Sequence, residues 1–215
     1  MFRRHATSAL SLANSLDLPQ HHRIKVYGRM DVDLTGKVLI ALPGIGDPRF
    51  ARSVILLCAH SPEFAMGIVL NNPMVGLKLP QLLEQLDVPV EIDVSDSYVL
   101  DGGPVSSDRG FVLHTEDVMS EGATLEVNED LCMTATRDIL HAIASEAAPR
   151  RSVLALGYSG WGAGQLEYEL AENAWLVADP DPELVFGEDH EEKWHNALSS
   201  LGVDTGRLQV DPGRA

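Results

Sequence analysis

The apolar residues of this chain fall into short runs of Val, Ile and Leu with the length of β-strands, and this constrains the fold more than any other feature. The longest runs, residues 38–42 and 54–59, stop far short of the ~20 residues that a membrane-spanning helix needs, so no membrane span is predicted. Residues 37–42, 53–58 and 65–70 read as strands, the first two separated by the turn-forming stretch 43–48 and the third closed by Asn71-Asn72-Pro73. Leu79, Leu82, Leu83 and Leu86 follow a helical spacing. Residues 97–100 and 110–114 read as strands flanking a turn over 101–109, and residues 124–127 and 131–135 as a hairpin around Asn128-Glu129-Asp130. An amphipathic helix is expected over 136–147, a buried strand over 151–156, a helix carrying Leu166 and Leu170, a strand over 175–178, and a last helix over 191–201 with Trp194, Leu198 and Leu201 inward. Strands and helices interleave irregularly, with two hairpins, which predicts a single α+β domain rather than a doubly wound parallel sheet.

Periodic patterning begins only after the first thirty residues, so a disordered N-terminal extension over 1–32, a domain over 33–205 and a flexible tail over 206–215 are expected. The extension is rich in Arg, Ser and His, the composition of an organellar transit peptide; the other reading is a start at Met30. Its five basic residues stand against Asp17 alone, a net +4, which leaves −20 of the overall −16 on the remaining residues. Nucleic-acid binding draws its affinity from neutralised phosphates and released counterions, so this charge argues against direct contact with DNA or RNA. The two cysteines, Cys58 and Cys132, lie in apolar stretches with no Cys-x-x-Cys, which suits two reduced thiols in a cytoplasmic protein.

Four segments could carry chemistry. Residues 157–164 (GYSGWGAG) read as a glycine-rich turn between strand and helix, where free N–H groups could hold an anion or where glycine lets Trp161 pack closely. The spacing fits neither a phosphate-binding loop, nor the dinucleotide fingerprint, nor a nucleophile elbow, whose last glycine would fall on Trp161. Arg49 and Arg52, beside Asp47, could clamp an anion or form an internal ion pair. Cys58 and His60, two apart on a strand, would share one face, either as an activated thiol or as a buried inert one. Gly102 and Gly103 form a tight turn with His114 nearby, while Glu167, Glu169 and Glu172 read as a solvated acidic helix face. His190 and His195 lack metal-ligand spacing, and no metal or cofactor is expected.

Taken together, GKVLIALPGIGDPRFARSVILLCAH, AMGIVLNNP, GGPVSSDRGFVLHT and GYSGWGAGQLEYELAENAWL, followed by KWHNALSSLGVD, resemble the AlgH/YqgE family of bacterial proteins from about Leu34 to Val203. The resemblance implies a central, partly barrel-like mixed sheet surrounded by helices, and a bacterial cytosol, which favours the Met30 start over a transit peptide. It carries a transcriptional-regulator label but no established activity and no defined catalytic residues. Asn71, Gly160, Gly164 and Gln165 match its signature, whereas Asn72 stands where the family usually has arginine.

The leading expectation is a non-enzymatic regulatory or adaptor protein. It would bind a small ligand or a protein partner where Asp47, Arg49, Arg52, Asn71, Gly102, Gly103, His114, Gly160, Trp161, Gly164 and Gln165 converge. The alternatives are an enzyme with a Cys58/His60 or Asp47/His114 centre and, third, a direct DNA-binding regulator.

Overall fold

The structure, a computed structural model, describes residues 33–203; the expected extension and tail lie outside the described residues. The predicted apolar runs become strands β1 (Val38–Ala41), β2 (Val54–His60) and β3 (Phe64–Val69), joined as antiparallel neighbours. After β4 (Pro73–Lys78), helix α1 (Leu79–Gln85) leads to β5 (Tyr98–Asp101) and β6 (Val105–Thr115). The hairpin of β7 (Thr124–Glu126) and β8 (Leu131–Thr134) precedes α2 (Arg137–Ile143) and the long β9 (Ser152–Gly162). Helix α3 (Gln165–Ala171), β10 (Trp175–Ala178), α4 (Pro182–Phe186) and α5 (Lys193–Ser200) complete the chain. Among the described residues no helix is long and apolar enough to cross a membrane.

The strands form one mixed sheet in the order β10-β1-β2-β3-β9-β6-β8-β7, which curls into a half-barrel with the helices around it, an α+β domain. Strand β5 pairs with β4 and runs parallel to β9. Inside the curl lies the largest apolar cluster, including Ile40, Leu56, Ile68, Phe111 and Tyr158, closed by Trp194, Ala197 and Leu198 of α5. A second cluster joins α1 and α2 to β5, β6 and β9 through Leu83, Val99, Ile139 and Leu154. A third lies under α3 and contains Leu39, Ile55, Trp161, Leu166 and Trp175. Each fully buried Leu, Ile or Phe in these layers stabilises the fold by roughly 1.5–3 kcal/mol.

Several expectations need correction. The glycine-rich residues 157–162 are the second half of β9 rather than a turn, and only Ala163 and Gly164 turn before α3. The turn expected over 101–109 is partly strand, because β6 starts at Val105 and makes an irregular excursion before pairing resumes at Gly110. Strand β4 and helix α4 carry no clear apolar period and escaped the sequence reading. Leu201 follows the end of α5 and is exposed.

Glycine explains why β9 continues where a turn was expected. Its first half pairs with β5 up to Leu156, and its second half pairs with β3 from Ser159, so the strand must bend between them. Gly157 sits at that bend with a φ of +73°, in the left-handed region that glycine tolerates best. The backbone of Gly102 and Gly103 crosses β9 at the same point. A Cβ on Gly157 would stand 2.4 Å from the Gly103 carbonyl oxygen, and a Cβ on Gly103 2.4 Å from the Tyr158 carbonyl carbon. The GGP and GYSGWG glycines therefore serve each other, as two backbones in contact.

Candidate functional site

The β3–β4 connection, Leu70 to Pro73, gathers residues that are distant in sequence. The Asn71 side chain accepts a hydrogen bond from the Val54 N–H at 2.9 Å and donates to the Arg52 carbonyl at 2.9 Å, tying β2 to this connection. Asn72 donates to a carboxylate oxygen of Asp101 at 3.3 Å, while its carbonyl accepts from the Asp101 N–H. The Gly102 carbonyl accepts from the Val69 N–H, and Ser159 of β9 donates to the same oxygen at 3.4 Å. Arg52, Asn71, Asn72, Asp101, Gly102 and Gly103 thus form one continuous seam. Arg52 and Asn72 are exposed, and the Arg52 guanidinium lies over the Trp194 ring at 5.5 Å. Arg52 also has a φ of +58°, a strained value for a side-chain-bearing residue.

Beneath the seam, the Leu70 carbonyl accepts two side chains of the C-terminal region: His190 through Nδ1 at 3.2 Å and Lys193 through Nζ at 3.0 Å. Lys193 donates also to the Val185 carbonyl at 3.2 Å and is buried. Removal from water, aided by the nearby Arg151 cation, pulls its ammonium down to about 8. Burial likewise holds His190 below the usual imidazole range, as does the nearby Lys193 cation. A carbonyl only accepts, so Nδ1 carries a proton, and in the neutral ring Nε2 presents a lone pair. Neither residue was a sequence candidate. Lys193 had one usable signal, a position beside the inward Trp194 on the buried side of the last helix.

The other predicted residues lie elsewhere. Trp161 packs under α3, where its indole N–H donates to Glu169 at 2.9 Å and that of Trp175 to the same carboxylate oxygen at 2.8 Å. Gln165 accepts the Gly162 N–H and donates to the other Glu169 oxygen. Gly160 lies in β9 opposite Met66, and Gly164 caps α3 with a φ of +71°. Phe50 stacks on Trp161 and meets Trp175 edge-on, linking this cluster to the turn that bears Asp47 and Arg49. The acidic face expected on α3 is therefore partly structural, because Glu169 holds two indoles and Glu167 accepts from His60 at 3.0 Å.

Asp47 and Arg49 pair with each other at 2.6 Å, so neither is an open clamp for an anion. Arg49 and the N–H it donates hold the Asp47 carboxyl below its usual range. His114 is fully buried: its Nδ1 donates to the Thr115 carbonyl and its Nε2 accepts from Thr134. Burial lowers its pKa, and Asp47 is not among its hydrogen-bonded partners. An Asp47/His114 centre is not assembled in this arrangement.

The Cys58/His60 pairing expected on one strand face is also not formed. A β-bulge skips Cys58 between Leu57, opposite Gly67, and Ala59, opposite Met66. Cys58 and Ala59 both face the cluster inside the curl, while His60 turns outward toward α3 and Glu167. One extra residue inverts the period-two alternation on which the reading relied. Burial also pushes the Cys58 thiol up to about 12, so it holds its proton at neutral pH.

Comparison with known proteins agrees with this architecture. The AlgH-like family profile matches residues 38–206. The chain is 51% identical over 183 residues to a UPF0301 protein of Caulobacter vibrioides, covering 85% of this chain and 94% of the relative. It is 50% identical over 189 residues to one of Afipia carboxidovorans, covering 85% and 90%. The solution structure of the AlgH protein from Pseudomonas aeruginosa superposes with a TM-score of 0.69 at 41% identity, covering 88% of this chain and all of that one. A crystal structure from Corynebacterium diphtheriae shares the fold, with a TM-score of 0.64 at 21% identity over 86% of this chain and 92% of that one. The chain belongs to the AlgH-like family.

Proposed function

We propose that this protein is a non-enzymatic regulatory or adaptor protein of the cytoplasm, binding a small ligand or a protein partner on the seam formed by Arg52, Asn71, Asn72 and Asp101. The observation that supports this reading is the convergence itself: β2, the β3–β4 connection and the end of β5 are bonded side by side, with Arg52 and Asn72 exposed. A cation held at a left-handed φ over a tryptophan is a pre-positioned contact, which lowers the entropy that binding costs. The nucleophile candidate points the other way, since Cys58 is enclosed and protonated. The net charge of −16 favours an effect on transcription, if the protein has one, that runs through another molecule rather than through DNA.

The test is native purification from the source bacterium, with quantitative mass spectrometry of whatever co-purifies. Arg52→Asn keeps a residue that tolerates the left-handed backbone but removes the cation. Together with Asn72→Ala it should reduce the co-purifying species about tenfold, the loss of one charge-assisted contact. Equal recovery with the variants rejects the seam, and duplex DNA retained at low salt rejects the indirect reading.

A further inference from the structure

Beside the seam, a cleft of about 180 Å³ opens between β5, α2, the start of β9 and the segment after α4. Its lining is mixed: Ile143 and Leu154 are joined by Tyr98, Phe186 and His190, and by the polar Ser97, Arg150, Arg151, Ser152 and Glu188. His190 meets Tyr98 edge-on at 5.4 Å. Its Nδ1 is committed to the Leu70 carbonyl, while Nε2 has no partner among the described residues. Among the described residues no buried side-chain nitrogen or oxygen is left without a partner, so Nε2 reaches solvent, and His190 lines the cleft.

These features specify an occupant by size, shape and polarity. An apolar cavity of ~150 Å³ holds one benzene, whereas sites for drug-sized ligands begin near ~300 Å³. The cleft therefore has room for one six-membered ring with a small substituent. Aromatic walls favour an aromatic ring, which can meet Tyr98 and Phe186 edge-on or offset. The lone pair on Nε2 calls for a hydrogen-bond donor. The cations near the cleft are already engaged: Arg151 lies over Phe186 and pairs with Glu183, Arg150 pairs with Glu116 and Asp117, and Lys193 donates to the Leu70 and Val185 carbonyls. With −16 on the whole chain, an anionic ligand has no advantage here.

We propose that this cleft is a binding site for a small, neutral, monocyclic aromatic compound bearing a hydroxyl or ring N–H, whose ring packs on Ile143 and Leu154 and whose donor bonds Nε2 of His190. None of the seam side chains lines the cleft, so the inference stands independently of the proposed function.

Phenol and fluorobenzene, alike in size and differing in the donor, test it by NMR titration of the full chain. Phenol should shift the amides of Tyr98, Val153, Leu154 and Gly187 and move the His190 Nε2 resonance. It should bind about three- to tenfold more tightly than fluorobenzene, the worth of one hydrogen bond. His190→Phe should erase that preference. Ala148→Phe, which fills the cleft without touching the Leu70 contact, should abolish binding of both probes and keeps the test open if His190→Phe does not fold. Equal affinity for the two probes, shifts confined to residues 70–73, or phenol binding that survives Ala148→Phe would overturn the proposal.

Discussion

The two halves of β9 are one strand with two fates. The second half, Ser159 to Gly162, lies under α3, where Trp161, Trp175, Gln165 and Glu169 satisfy one another's polar groups and Phe50 covers the indoles. The first half, Ser152 to Leu156, borders the cleft, the buried His190 and the buried Lys193, which is held by backbone carbonyls alone. Both halves bury polar groups, yet only the first adjoins a ring nitrogen, Nε2 of His190, that has no partner among the described residues. Polar groups that complete one another build structure; a polar group left incomplete beside a cavity is where a ligand can complete it.

The separation of the halves depends on the bend at Gly157, and breaking it has the largest effect. Gly157→Val brings a side chain against the Gly103 carbonyl and forces a branched residue to positive φ. A loss on the order of 4 kcal/mol is expected, combining overpacking with left-handed strain, and urea denaturation measures it. Retention of wild-type stability would mean the two backbones do not cross as described.

On the open half, Lys193 gives a pH signature. Its proton is held less tightly in the fold, at about 8, than at the ~10.4 of an unfolded lysine. The unfolded chain therefore binds more protons between these values, and the charged lysine opposes folding below about pH 8. As pH rises from about 8 to about 10.4 that opposition fades. Wild type should then gain stability relative to Lys193→Met by up to about 3 kcal/mol. Denaturant midpoints of both proteins at pH 7 and pH 10 supply the comparison, and a constant difference counts against a buried ammonium.

On the closed half, Glu169→Ala strands two indole N–H groups and should cost about 2 kcal/mol, while Glu169→Gln, which keeps an acceptor, should cost less. A red shift in tryptophan fluorescence of the alanine variant would report the loosened cluster. The smallest effect belongs to Arg49→Ala, which removes an exposed pair on the covering turn and should leave the melting temperature unchanged.

The strands of the core were legible because their residues are buried on both faces and read as continuous Val, Ile and Leu runs. The hairpin of β7 and β8 was legible from its turn residues. The family was legible from four segments in order. What escaped were features created by contact. Glu167 and Glu169 look like a wet helix face until His60, Trp161 and Trp175 arrive from other elements. Lys193 and His190 are unremarkable until the Leu70 carbonyl, over a hundred residues earlier, becomes their partner.

The sequence by itself determined the strand-sized apolar runs, the acidic balance and the glycines, because composition and local period act within a few residues. Only the tertiary structure decided that the glycines bend a strand instead of ending it. It alone decided also that one bulged residue parts Cys58 from His60, and that His190 lines a cleft. Each of these rests on which distant backbone lies within hydrogen-bond reach, and chain order does not encode that locally.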